Sequence, residues 1–202
     1  MTTHETSAAP LGLRERKKRQ TRERIRREAY RLFAEHGYET TTVDQIADAA
    51  EVSPSTFFRY YPTKEDVVIQ DEYDPALAEA LRARPADEPI VDAILNSLKG
   101  PLGQMLDQDR EDLLLRTRIT FTDAAIRARN VVEQQRSEEV IAAIIAERTG
   151  RAATDLEIKC AAAAIIAVFT TLVRHWVEGD GQEDLAELYQ RHLPLLARGL
   201  DF

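Results

Sequence analysis

From residue 16 onward, Ile25, Ala29, Leu32, Phe33 and His36 recur at the spacing of one helical face, while arginines fill the other positions. That pattern predicts an amphipathic helix, and Gly37 just beyond it predicts a left-handed cap residue. Val43, Ile46, Ala47 and Ala50 give a second, shorter apolar face. It should start at Thr42, because Thr42 and Gln45 stand three apart as in a capping box. Ser53 followed by Pro54 is a helix cap with proline in the first turn, so a third helix should run over residues 53–61, where Pro62 closes it. Phe57 and Tyr61 lie four apart and should turn inward onto Phe33 and Ile46. Thr63, with Asp66 three residues later, has the form of a fourth cap.

Beyond this the periodicity is helical throughout, over 64–84, 89–107, 109–129, 131–148, 154–178 and 183–200, with Gly100-Pro101 breaking or kinking the second of these. No run alternates with a two-residue period, so the chain is all-α, with about nine helices. Residues 1–13 are small, polar and Pro/Gly-punctuated, and are expected to be a disordered lead-in. The expected domains are a reader at 14–70 and a larger helical body at 71–202. The most apolar stretch, 160–173, is too short to span a bilayer and reads as a buried helix.

Charge changes the picture more than composition does. The chain carries a formal net charge of -8, which taken alone argues against a nucleic-acid surface. Its distribution points the other way. Residues 1–65 hold 12 Lys/Arg against 10 Asp/Glu, and between 14 and 31 ten basic residues face only Glu15, Glu23 and Glu28. A local excess of that density fits a polyanion. The lone cysteine, Cys160, excludes an internal disulfide, and the first residues lack a signal peptide's apolar run, so a reducing cytoplasm is expected.

Three short helices joined by tight turns match a helix-turn-helix, in which the second helix of the motif enters the major groove and flanking groups hold phosphate. Pro54, Ser55, Thr56, Phe58, Arg59 and Tyr60 would then face DNA. Arg59 is the best candidate for reading a base, since a guanidinium can bond O6 and N7 of guanine together. The tract at 14–19, with Arg16, Lys17 and Arg19, could be a solubilising tail. Placed directly before the first helix, it reads as an arm reaching phosphates or the adjacent minor groove.

The run from Thr41 to Glu65, with Ile46-Ala47, Val52-Ser53, the Phe57-Phe58-Arg59-Tyr60-Tyr61 cluster and Pro62-Thr63-Lys64-Glu65 in order, resembles the DNA-binding signature of the tetracycline-repressor (TetR) family. The resemblance covers about a third of the chain. It implies a homodimeric transcriptional regulator whose DNA-binding domain precedes an effector-binding and dimerisation domain, with repression relieved by a ligand. By the same resemblance Thr42 and Lys64 would hold phosphates, Asp44 would sit where some members read a base, and Ser53 would open the reading helix. Two residues depart from the family pattern, Ser55 where glycine is usual and Phe58 where tyrosine is frequent. Phe58 has no hydroxyl for a phosphate, which points it to a thymine methyl, with Tyr60 supplying the hydroxyl instead.

The resemblance also implies a four-helix dimer bundle built from the last two helices, with Ile158, Ile165, Ile166, Leu172, Leu188 and Leu196 as candidate interface residues. A ligand pocket is implied likewise, with Met105, Arg116, Phe121, Phe169 and Trp176 as candidate lining; Met105, Phe121 and Phe169 could equally be plain core, and Arg116 and Trp176 could instead serve an ion pair or the dimer surface. The segments around Glu65-Asp66-Val67-Val68 and Leu81-Arg82-Ala83-Arg84-Pro85 are similar to a subgroup with acyl-sensing members, so a small hydrophobic effector is expected, along with operator DNA and a second copy as partners. Neither a metal nor a cofactor is expected. An enzyme is disfavoured, because His4, His36, His175 and His192 are scattered and no catalytic motif is present. A helical adaptor without DNA binding is the alternative, and it would leave the basic tract and the reading helix without a use.

Overall fold

A computed structural model of the chain describes residues 12–69 and 74–198, and among these there are eleven helices and no strand. The chain divides into two compact units, Met1–Val67 and Val68–Phe202. The expected lead-in lies outside the described residues except for Gly12 and Leu13.

In the first unit, α1 (Leu13–His36) buries Ile25, Ala29, Tyr30, Leu32 and Phe33. His36, expected on that face, is exposed along with residues 34 and 35, because the last turn runs past the packed section. Gly37 has φ 87° and ψ 151°, a glycine-favouring backbone that is extended where a left-handed helical cap was expected, and its N–H bonds the Phe33 carbonyl at 3.0 Å. After it come α2 (Val43–Ala49), α3 (Pro54–Tyr60) and α4 (Lys64–Ile69). Ile46, Ala47, Phe57 and Tyr61 complete the core with the α1 face.

The second unit holds α5 (Asp74–Arg82), α6 (Ile90–Leu98), α7 (Pro101–Thr122), α8 (Ala124–Thr149), α9 (Leu156–Glu178), α10 (Leu185–His192) and α11 (Pro194–Ala197). Ile94, Leu113, Ile144, Ile165, Trp176 and Leu188 mark its core. The helix expected over 64–84 is described as α4 and α5, with residues 70–73 between them outside the described set. Gly100-Pro101 separates α6 from α7. A break expected near 108 survives only as non-helical dihedrals at Asp109 within α7, φ -131° and ψ 26°. The break expected near 130 instead falls at Asp123, whose carboxylate accepts the Ile126 N–H at 2.8 Å and starts α8.

Two corners organise this unit. Arg148 donates to the carbonyls of Arg84, Pro85 and Glu88 at 3.2, 2.7 and 2.7 Å, pinning the α5–α6 loop, and Glu88 in turn holds Arg84 and Asn96. At the other corner, α9 ends in a turn with Asp180 and Gly181 at φ 51° and 68°. There the Gly181 N–H returns to the Trp176 carbonyl and the Asp180 N–H to the Val177 carbonyl, at 2.8 and 3.0 Å. From α7, Arg110 donates to the Gly181 carbonyl, Arg118 pairs with Asp180 at 2.7 Å, and Leu114 lies against Gly181 between them.

Candidate nucleic-acid interface

The α2–α3 corner is built by short-range bonds. The Thr42 hydroxyl accepts the Gln45 N–H at 3.2 Å, and the Gln45 side chain accepts the Thr42 N–H at 2.8 Å, so the capping box closes both ways. Helix α2 ends with the Glu51 N–H on the Asp48 carbonyl and the Val52 N–H on the Ala47 carbonyl, at 3.0 and 2.9 Å. This closure needs a left-handed residue between them, and Glu51 takes it at φ 51°. Nothing in the sequence marks that strain, since the usual signals, glycine or asparagine, are absent.

Ser53 then caps α3, its hydroxyl accepting the Thr56 N–H at 3.1 Å and lying 2.9 Å from both the Ser55 and Thr56 hydroxyls. Phe57 and Tyr61 face inward and are fully buried, with ring centroids 6.0 Å apart. The Tyr61 hydroxyl donates to the Arg22 carbonyl at 3.4 Å, and the Arg22 guanidinium sits 5.3 Å over the Tyr61 ring, which ties α3 to α1. With that side anchored, the opposite side is open. Pro54, Ser55, Phe58 and Arg59 are exposed, and Thr56 and Tyr60 are half-exposed. The Arg59 guanidinium stacks over the Tyr60 ring at 5.4 Å, and half-exposed Phe58 meets Phe57 edge-on at 5.6 Å. A long cation and a large apolar ring are thus each held in place by an aromatic neighbour while facing water.

Thr42, Asp44 and Ser53 are exposed as well. Lys64 is bonded within the chain. Its ammonium donates to the carbonyls of Tyr38 and Thr41 at 2.8 and 3.0 Å and lies 4.3 Å over the Tyr38 ring. Two of its three donors therefore hold the α1–α2 loop. Thr63 and Asp66 cap α4 reciprocally, as expected. Arg16, Lys17 and Arg19 lie on the first turns of α1, which is helical from Leu13.

In the body, four of the six candidate interface residues, Ile158, Ile165, Leu172 and Leu188, are spent on the chain's own core; Ile166 and Leu196 are half-buried. Helix α9 carries two apolar faces, and periodicity alone does not say which one turns inward. The outward face holds Leu156, Cys160, Ala167 and Thr171, all exposed. Over its most apolar 18-residue window, α9 has a mean hydropathy of 1.9 with only 22% of that window buried, so it is not the buried helix expected. It is long and apolar enough to cross a membrane, but doing so would strip Ile158, Ile165 and Trp176 from the core they build with the other helices.

The described candidate pocket residues take different positions in the body. The Met105 side chain lies outside the described ones. Trp176 is buried, with its indole N–H on the Glu183 carbonyl at 3.0 Å. Phe169 stacks on Tyr189 at 4.7 Å, where burial pushes the Tyr189 phenol well above its ordinary range, and Phe121 lies 4.9 Å under exposed Arg174. Arg116 is half-buried. Arg118 and His175 are exposed and paired with Asp180 and Glu183 at 2.7 and 2.8 Å. A depression of about 410 Å³ lies elsewhere, lined by Glu88, Asp92, Leu95, Asn96, Lys99 and Gln190.

Comparison with known proteins agrees with the architecture. Residues 25–70 match the family model for bacterial regulatory proteins of the tetR family, and residues 88–201 match the MftR C-terminal domain. The chain is 36% identical over 179 residues to the HTH-type transcriptional regulator TcmR of Streptomyces glaucescens, covering 85% of this chain and 77% of that protein. It is 28% identical over 174 residues to the HTH-type transcriptional repressor AcnR of Corynebacterium efficiens, covering 83% and 88%. Among solved structures, Thermus thermophilus FadR, a TetR-family transcriptional repressor in complex with lauroyl-CoA, superposes with a TM-score of 0.61 at 28% identity, covering 90% of this chain and 95% of that one.

Proposed function

As a member of the tetR family, this chain is a DNA-binding transcriptional regulator and not an enzyme, and on that premise we propose that it is a ligand-released repressor working as a homodimer in the cytoplasm. Residues 14–70 form the DNA-binding domain and 71–202 the effector-binding and dimerisation domain. The observation that carries this reading is α3, anchored through Phe57 and Tyr61 and open on the side that bears Phe58, Arg59 and Tyr60. Arg59 reads a guanine in the major groove, and Thr42, Ser55, Thr56 and Tyr60 supply hydroxyls to phosphates. Asp44 lies beside them on α2. One α3 spans too few base pairs to select a site, so two copies read half-sites about 34 Å apart, or a multiple of that, on a near-palindromic operator.

The second copy docks on the outward face of α9, where Cys160, Ala167 and Thr171 are small enough for close helix approach, with the half-buried Ile166 and Leu196 at its margin. Ala167→Glu puts a charge in that seam without touching the core. Sedimentation should show monomers for the variant and dimers for the parent; dimers in both would remove α9 from the interface. The effector is a hydrophobic molecule of acyl type. The lauroyl-CoA held by the similar Thermus repressor supports that class, and an effector can release the operator only by binding the non-operator conformation more tightly.

Footprinting on the DNA upstream of the chain's own coding sequence, with and without lauroyl-CoA, tests the whole reading. Two protected half-sites should appear, and Arg59→Ala should lose about 1–3 kcal/mol per half-site on the specific sequence while leaving non-specific binding nearly intact. A single protected half-site, or equal loss on every sequence, would overturn it.

A further inference from the structure

We propose that the Tyr189 phenol is a specificity-determining donor in the body, bonding the uncharged carbonyl oxygen of the effector's acyl group. The inference deepens the reading of the chain as an acyl-responsive regulator and rests on it.

Three tyrosines are buried among the described residues, Tyr30, Tyr61 and Tyr189. The first two are satisfied, the Tyr30 hydroxyl donating to the Val67 carbonyl at 3.2 Å and the Tyr61 hydroxyl to the Arg22 carbonyl at 3.4 Å. The buried Trp176 indole donates likewise to the Glu183 carbonyl. Such acceptors are the rule for a phenol or an indole taken out of water, because a dry hydroxyl forfeits its bonds to solvent. Tyr189 departs from that rule. It is 4% exposed and makes no hydrogen bond among the described residues.

Its surroundings are apolar. The ring lies 4.7 Å from that of Phe169 on α9 and belongs to the core that also holds Leu185, Leu188 and Leu193. Burial raises the phenol, so it stays protonated through the neutral range and can only gain by donating. Phe169 and Val173, four apart on α9, and Ala186, three before Tyr189 on α10, are half-buried, so partly open apolar side chains adjoin the ring on both helices.

This setting selects the ligand's chemistry. A neutral donor among apolar groups favours a neutral acceptor, since a carboxylate would give up far more hydration than one bond returns. An ammonium has no lone pair to accept the proton. A thioester or ketone carbonyl on an alkyl chain meets both conditions: the oxygen accepts from the phenol and the chain lies against Phe169 and Val173. A tyrosine serving the core alone would use its ring and leave the hydroxyl idle.

The test uses the full chain and Tyr189→Phe, which keeps the ring and removes only the hydroxyl. Without ligand the variant should melt about 2–4 °C higher, because a buried group lacking an acceptor is gone. A lower melting temperature would show that the hydroxyl is already satisfied and would overturn the proposal. Titration calorimetry then compares lauroyl-CoA with S-dodecyl-CoA, a thioether that carries a methylene in place of the carbonyl. The parent should bind the thioester about tenfold more tightly, and the variant should bind both ligands alike. Release from the footprinted duplex should follow, the variant needing about tenfold more lauroyl-CoA than the parent. Equal loss for thioester and thioether would assign Tyr189 to shape alone, overturning the proposal and leaving the acyl reading in place. Failure of the parent to bind either ligand would sink the acyl reading itself, and the proposal with it.

Discussion

The two units are held together by different means. In the first, nearly every turn is fixed by a directed bond within a few residues, Thr42 with Gln45, Ser53 with Thr56 and Thr63 with Asp66, and Lys64 adds a longer-range hold on two loop carbonyls. In the second, long helices share one apolar core, and polar bonds concentrate at the corners fastened by Arg148 and by the Arg110–Arg118 pair. A surface that must match DNA tolerates little misplacement, and local bonds give it that accuracy. A body that, on the proposed reading, takes up a ligand and a partner needs side chains able to repack, and packing of broad apolar faces permits this.

The sharpest way to break the contrast is Phe57→Ala, which removes one of the two buried rings that join the reading helix to its support. It should cost about 3–5 kcal/mol and abolish operator binding, while most helical circular dichroism, which comes from the body, persists. Loss of all helicity in one transition would show that the units do not stand apart. Next is Gly181→Ala. At φ 68° a new Cβ would lie 3.2 Å from the Trp176 ring, so the body should lose about 1–2 kcal/mol in a urea titration. The local bonds of the reader can be tuned in both directions. Ser53→Ala should cost about 1 kcal/mol, and Glu51→Gly, which relieves a positive φ, should gain about 0.5–1 kcal/mol. Thermal melts of the two variants should move in opposite senses.

The smallest effect is electrostatic. Arg84 bonding, with Asn96 beside it, holds the Glu88 carboxyl at about 2 against an ordinary 4.5. The folded state therefore refuses a proton that the unfolded chain takes up, and stability present above pH 4.5 is lost as the pH falls toward 2. Glu88→Gln should flatten that part of the acid side of a melting-temperature profile, and an unaltered profile would show the pair to be fully screened.

The same division explains how much of the molecule is legible in the chain alone. Caps at Thr42, Ser53 and Thr63 are written in adjacent residues, so the corner and the inward turn of Phe57 and Tyr61 can be read directly. The role of Lys64 cannot, because its acceptors, the Tyr38 and Thr41 carbonyls, lie more than twenty residues upstream and are backbone groups without a sequence signature. In the body, α9 is apolar nearly all round, so its period does not separate core from surface, and it puts Ile158, Ile165 and Leu172 on the wrong side. Asp123 is a local signal that periodicity passes over, an aspartate directly before a run of helix formers. The positive φ at Asp180 and the grip of Arg118 on it depend on a turn brought against α7 from 62 residues away.

That grip limits how α7 can move. Arg110, Leu114 and Arg118 recur every fourth residue, so an axial slip of one turn would drive an aliphatic side chain into the seat of a guanidinium and leave the terminal carbonyl of Gly181 without its donor. A ratchet along this helix is thereby disfavoured. Displacement of α7 must instead swing about Asp109, where the backbone already departs from helical dihedrals directly beside the first of the three teeth.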